Sequence, residues 1–202
     1  MEQFFKITGI VADIFLTVAL ILAIIKYKRF TKNEKWYIYY TIFVFFIEII
    51  MFFKIEGSTE FLYPVYIAGE FFLMTGIFIK KLNLSKYYFI LTIVLSLIVL
   101  SLGKILPEYE NDYSKAFSNL IIVCLIAFSL IQEIKNFSKK NNFLFLDGMF
   151  FLYYTVSIFI FIFQQQLISL HTDSFFIFWI INNLLVAILY FTILYTYLKL
   201  KK

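Results

Sequence analysis

Long apolar runs alternate with short polar breaks along the whole chain. A helix rises about 1.5 Å per residue, so about 20 apolar residues cross a hydrocarbon core of about 30 Å. Runs of this kind fall at residues 4–25, 36–54, 61–79, 87–106, 116–134, 145–167 and 175–198. The pattern predicts an all-α integral membrane protein, a seven-transmembrane helix bundle in which residues 1–202 form a single membrane domain. No polar break is long enough for a soluble catalytic or ligand-binding domain. Pro64 is expected in the first turn of the third span, where a missing N–H costs least, and Pro107 is expected to close the fourth. Gly69 and Gly76 are seven residues apart and share a helix face, which a neighbouring helix can approach closely. Trp36 with Tyr37, Tyr39 and Tyr40, and the pair Tyr87 and Tyr88, read as belts at the membrane–water interface.

Composition agrees with a lipid solvent. The 202 residues are 62% hydrophobic, 22% aromatic and only 15% charged, and the mean hydropathy is +0.88. A soluble domain averages about 45–50% apolar and about 25% charged residues. Too little polar surface is available here to cover a globule in water. The first 25 residues lack a basic leader and a small-residue cleavage site, so they are read as a membrane span rather than a secretory signal.

Charge then sets an orientation. Fourteen of the eighteen basic residues lie after spans one, three, five and seven, in clusters such as Lys26–Lys35, Lys80–Lys86, Lys135–Lys140 and Lys199–Lys202. The remaining breaks carry Glu56 and Glu60, then Glu108, Glu110 and Asp112, then Asp173. Basic residues favour the cytoplasmic side, so the N-terminus is expected outside and the C-terminus in the cytoplasm, in the cell inner membrane. Clustering of this kind also accounts for the net charge of +5 without nucleic acid as a direct partner. The lipid bilayer is the expected surrounding, and the oligomeric state is left open.

Several chemistries lack their residues. The last span has no lysine before Lys199, so no retinal Schiff base can form within it. His171, the single histidine, falls in a polar loop and reads as a surface residue, which leaves no Ser-His pair in a span. HExxH, a phosphate-binding glycine loop and a dinucleotide fingerprint are missing. Asp13 and Asp147 fall towards opposite faces, which argues against an aspartyl pair. Cys124 lies in an apolar run and is expected in the core. The chain therefore reads as a non-enzyme with no cofactor and no metal site, carboxylate-assisted hydrolysis of a lipid head group being the one enzymatic reading left.

The candidate chemistry lies in five polar residues inside the spans. Asp13 and Glu70 each lie about 13 Å below the outer end of their helix, Glu48 about 9 Å, and Asn182 and Asn183 about 10–12 Å. Four helices thus place polar groups in one outer layer. An ionisable side chain at that depth is costly and calls for a partner, a cavity or a proton. With no lysine or arginine read at that depth, one carboxyl is expected to hold a proton or the layer to hold a cation. Asp13, Glu48, Glu70, Asn182 and Asn183 are the candidate ligand- or cation-binding residues. The competing reading makes each a structural hydrogen-bonding group that specifies helix pairing. Asp147, Gln132 and Glu133 are expected near the inner surface, in reach of water.

Some segments carry a resemblance: FVFFIEII at 43–50, IAGEFFLMTGIF at 67–78, the aromatic start of span six, and FWIINNLL at 178–185. Together with the span pattern, they resemble small bacterial seven-helix membrane proteins that are similar to the membrane part of sensor histidine kinases. The resemblance implies a sensory or regulatory subunit that passes a signal to a separate cytoplasmic signalling or effector protein. It assigns no binding residue. Two other readings fit the same sequence: a small-solute or cation transporter or channel, and a membrane accessory protein of a bacterial CRISPR or anti-phage defence system.

Overall fold

A computed structural model describes residues 2–53, 58–105, 111–135, 141–163 and 172–200, all of them helix or connecting turn. The helices are α1 (Glu2–Ile25), α2 (Lys35–Phe52), α3 (Ser58–Lys81), α4 (Lys86–Ile105), α5 (Asn111–Lys135), α6 (Leu144–Ile162) and α7 (Thr172–Lys199). A 3-10 turn at Tyr27–Arg29 follows α1. Each apolar run of the sequence becomes one helix. Five of them, α1, α3, α5, α6 and α7, are long and apolar enough to cross a membrane. The 18-residue α2 and the apolar part of α4, Lys86–Ser101, are shorter.

Burial is inverted relative to a soluble protein. Large apolar side chains face outward on every helix except the well-buried α3, among them Ile14, Phe46, Leu97, Ile134, Phe159 and Leu198. Charged and polar groups lie inside: Glu70, Lys115, Asn119 and Asp147 are at most 1% exposed. Such a surface is unfavourable in water and ordinary against acyl chains. The chain is a helical multi-pass membrane protein. Several interior hydroxyls are satisfied locally, as in Thr41, Thr75 and Thr192, each of which donates to the carbonyl four residues earlier; those of Ser114 and Ser129 have no partner among the described residues.

Six helices close a ring in the order α1, α7, α6, α5, α3, α2, and α4 packs outside it, chiefly on α3. Of these packed pairs, α1 with α2 is the least extensive. The described lysines of the four basic clusters gather at one end of the bundle. There Lys26 donates to the carbonyls of Tyr197 and Leu198 at 2.9 and 2.7 Å, capping the C-terminus of α7. Asn33 reaches the Lys80 carbonyl at the same end. Thr31 and Glu34 cap the approach to α2 reciprocally: the Glu34 carboxylate accepts from the Thr31 N–H at 2.7 Å, and Thr31 Oγ1 accepts from the Glu34 N–H at 3.3 Å. At the end of α3, Asn83 takes the left-handed conformation (φ 52°), and the Leu84 N–H bonds back to the Ile79 carbonyl.

The shared glycine face of α3 is filled by α2. The Phe43 ring lies in the slot at Gly69 and the Trp36 ring in the slot at Gly76, so that a Cβ at either glycine would fall well inside van der Waals contact. Gly76→Ile is therefore expected to overpack this contact and lower stability by about 1–3 kcal/mol. Thermal unfolding in nanodiscs, followed by Trp36 fluorescence, measures it; an unchanged melting temperature would refute the slot.

Four expectations change. The helix α3 starts at Ser58, so Pro64 lies inside it, in the second turn rather than the first. Tyr37 and Tyr40 turn into the core at 4% and 2% exposure, because α2 presents them to α6 and not to the interface; Tyr39, Tyr87 and Tyr88 stay exposed. Cys124 is exposed on the outer face of α5 rather than buried in the core. The fifth helix begins at Asn111, five residues before the apolar run, which takes Lys115 into the helix. Glu56, Pro107, Glu108, Glu110, Lys139, Lys140, His171, Lys201 and Lys202 lie outside the described residues.

Candidate functional site

Helical spacing brings polar positions from separate helices to one point in the half of the bundle away from the lysine-rich end. Gly9, Ala12 and Asp13 of α1, Ile47, Glu48 and Met51 of α2, and Trp179, Asn182, Asn183, Val186 and Tyr190 of α7 all line one cavity of about 310 Å³. Tyr63 and Tyr66 of α3, Lys115 of α5, and Tyr153 and Phe161 of α6 complete its wall. Four of the five candidate residues, Asp13, Glu48, Asn182 and Asn183, therefore share a single space. The carboxylates of Asp13 and Glu48 have no hydrogen-bond or ion-pair partner among the described residues. Asn183 donates to the Phe5 carbonyl at 3.3 Å, while the buried Asn182 Oδ1 has no partner among the described residues.

Glu70, the fifth candidate, stands behind the wall instead of lining it. At 1% exposure it forms an ion pair with the ammonium of Lys115, itself 1% exposed. Tyr66 and Tyr154 donate to the other carboxylate oxygen at 3.0 and 2.9 Å. The Lys115 ammonium also lies 4.3 Å from the centre of the Tyr66 ring, a contact that favours a desolvated cation. The expectation that no lysine reaches this layer is thereby corrected. Because α5 starts at Asn111, Lys115 lies a full turn inside the helix and its stem crosses to α3. Glu70 is thus paired inside the bundle, and Asp13 and Glu48 are the candidate carboxylates left without a partner among the described residues.

No family model matches the chain, nor does any curated protein or solved structure.

A second polar centre lies at the lysine-rich end. Asp147, expected in reach of water, is completely buried: Lys81 forms an ion pair with it, and Tyr37 donates to its Oδ1 at 2.5 Å. Lys81 also meets Glu133 at 2.6 Å, and Asn141 donates to the same Glu133 oxygen at 2.6 Å. Gln132 is exposed. Lys81, Tyr37, Gln132, Glu133 and Asn141 line a cavity of about 530 Å³. The two centres are built on the same three helices. Glu70 and Lys81 are eleven residues apart on α3, Lys115 and Glu133 eighteen apart on α5, and Asp147 and Tyr154 seven apart on α6; each pair returns to one helix face.

Of the residues missed in the sequence, Lys115, Lys81, Tyr37 and Tyr154, Lys115 carries a signal. Lys115, Asn119, Ile122, Ile126, Ser129 and Glu133 recur at spacings of four and three, the period of one helix face. The polar start NDYSKAFSNL lowers local hydropathy, and this placed the start of the span beyond Lys115.

Proposed function

We propose that this protein is a sensory or regulatory subunit that binds a small organic cation in the cavity between α1, α2 and α7 and passes its occupancy to a cytoplasmic partner. The reading includes seven crossings of a bacterial inner membrane, with the N-terminus outside and the lysine-rich end in the cytoplasm. The gathering of the basic clusters at one end supports that orientation. One observation carries the binding role: Asp13 and Glu48 stand without partners among the described residues in a cavity walled by Tyr63, Tyr66, Tyr153, Trp179 and Tyr190. Two unpaired carboxylates at that depth favour a positive charge, and aromatic faces favour an ammonium group over a hydrated metal ion.

Transmission follows from the shared helices. The wall residue Lys115 is tied to Glu70 on α3, and α3 ends in Lys81 at the second centre. A ligand that draws on Lys115 or Tyr66 acts on a helix whose far end faces the basic loops. Transport is the second reading, favoured by the two cavities lying in opposite halves with the Glu70–Lys115 layer between them.

Proteoliposomes loaded with labelled tetramethylammonium test both. Saturable binding that weakens at least tenfold in Asp13→Asn/Glu48→Gln, without flux, supports the sensory reading. Flux abolished by Glu70→Gln favours transport. Binding unaffected by the double substitution removes the cavity from the mechanism.

A further inference from the structure

Asp13 and Glu48 border more than the interior. Both also line a groove of about 460 Å³ between α1 and α2, on the lipid-facing side of the bundle. The walls of this groove are apolar: Ile10, Ile14, Val18, Phe45, Ile49 and Phe53. Ile14 is 55% exposed and Phe53 71%. Thr17 spends its hydroxyl on the Asp13 carbonyl at 2.7 Å, so the two carboxylates are the polar groups the groove leaves without a partner among the described residues. It opens between α1 and α2, the least extensive of the packed pairs that close the ring. The same two acids therefore stand at the inner end of an apolar channel and on the wall of an aromatic cavity.

We propose that the ligand is a single-chain amphiphile with an ammonium head, which enters sideways from the bilayer between α1 and α2. This rests on the cation-binding reading above. The head passes Asp13 and Glu48 into the aromatic cavity, and the alkyl chain stays in the groove. Charge complementarity selects this occupant: a neutral acyl chain would leave both carboxylates unpaired, and an anionic head would be repelled. The head loses water as it leaves the membrane surface, and pairing with the two carboxylates offsets that cost.

Displacement of labelled tetramethylammonium from protein in phosphatidylglycerol nanodiscs tests it, with concentrations corrected for uptake by empty discs. Dodecyltrimethylammonium is expected to displace the label at a concentration at least tenfold below unlabelled tetramethylammonium, and dodecanol is expected not to displace it. Val18→Trp, which fills the groove, is expected to raise the concentration of the long-chain competitor at least tenfold and leave binding of the short cation unchanged; Ile14→Trp gives an independent second obstruction. Unchanged short-cation binding shows that each variant is folded. Equal displacement by dodecanol, no chain-length advantage, or indifference to both tryptophans overturns the lateral route while the cavity reading survives. Absence of tetramethylammonium binding in the unaltered protein overturns both.

Discussion

Lys115→Ala is expected to destabilise the bundle by about 3–5 kcal/mol, the range found when one partner of a buried ion pair is removed. In a chain of this size that corresponds to a fall in melting temperature of roughly 6–20 °C. Glu70 would be left at 1% exposure with only the Tyr66 and Tyr154 hydroxyls at one of its oxygens. Two neutral donors offset part of the desolvation of a carboxylate and cannot neutralise it. The double substitution Glu70→Gln/Lys115→Met is expected to recover most of the loss, because replacing both ions leaves no uncompensated charge. Thermal unfolding in nanodiscs reads both variants. Equal melting of Lys115→Ala and the unaltered protein would show that the pair does not hold α3 to α5.

Asp147→Ala is expected to cost about 3 kcal/mol, the lower end of the same range. Lys81 keeps Glu133 at 2.6 Å and borders an open cavity, so its charge is better compensated than that of an isolated Glu70. The Tyr37 hydroxyl, in a residue only 4% exposed, loses its acceptor. Asp147→Asn retains an acceptor for Tyr37 and removes the ion pair, and should fall between the two. If Asp147→Asn and Asp147→Ala melt together, the tyrosine bond contributes nothing and the ion pair carries the whole effect.

Most of the fold was legible because lipid imposes a coarse rule that apolar run length reveals directly. The runs at 4–25 and 87–106 fall within a few residues of α1 and α4. The glycine spacing on α3 likewise announced a close approach, and Phe43 and Trp36 supply it. Of the candidate site, Asp13, Glu48, Asn182 and Asn183 could be found because each interrupts an apolar run. Lys115 could not be found that way, since it sits where polarity is ordinary, at the edge of a run. Asp147, also near the edge of a run, reads as wet for the same reason. Hydropathy gives depth along a helix and is nearly blind to which way a side chain near the edge turns; that depends on packing partners far away in sequence, such as Glu70 for Lys115 and Tyr37 for Asp147.

The paired slots on α3 restrict how the molecule can move. Trp36 and Phe43 are one heptad apart, as are Gly76 and Gly69, so a slide of α2 along α3 by one turn, about 5.4 Å, would unseat both rings at once. These helices consequently travel as a rigid body, with no intermediate stop between seated and unseated. The compliant direction is the seam on the other flank of α2, and a gate placed there would leave the register of α2 on α3 unchanged as it opened.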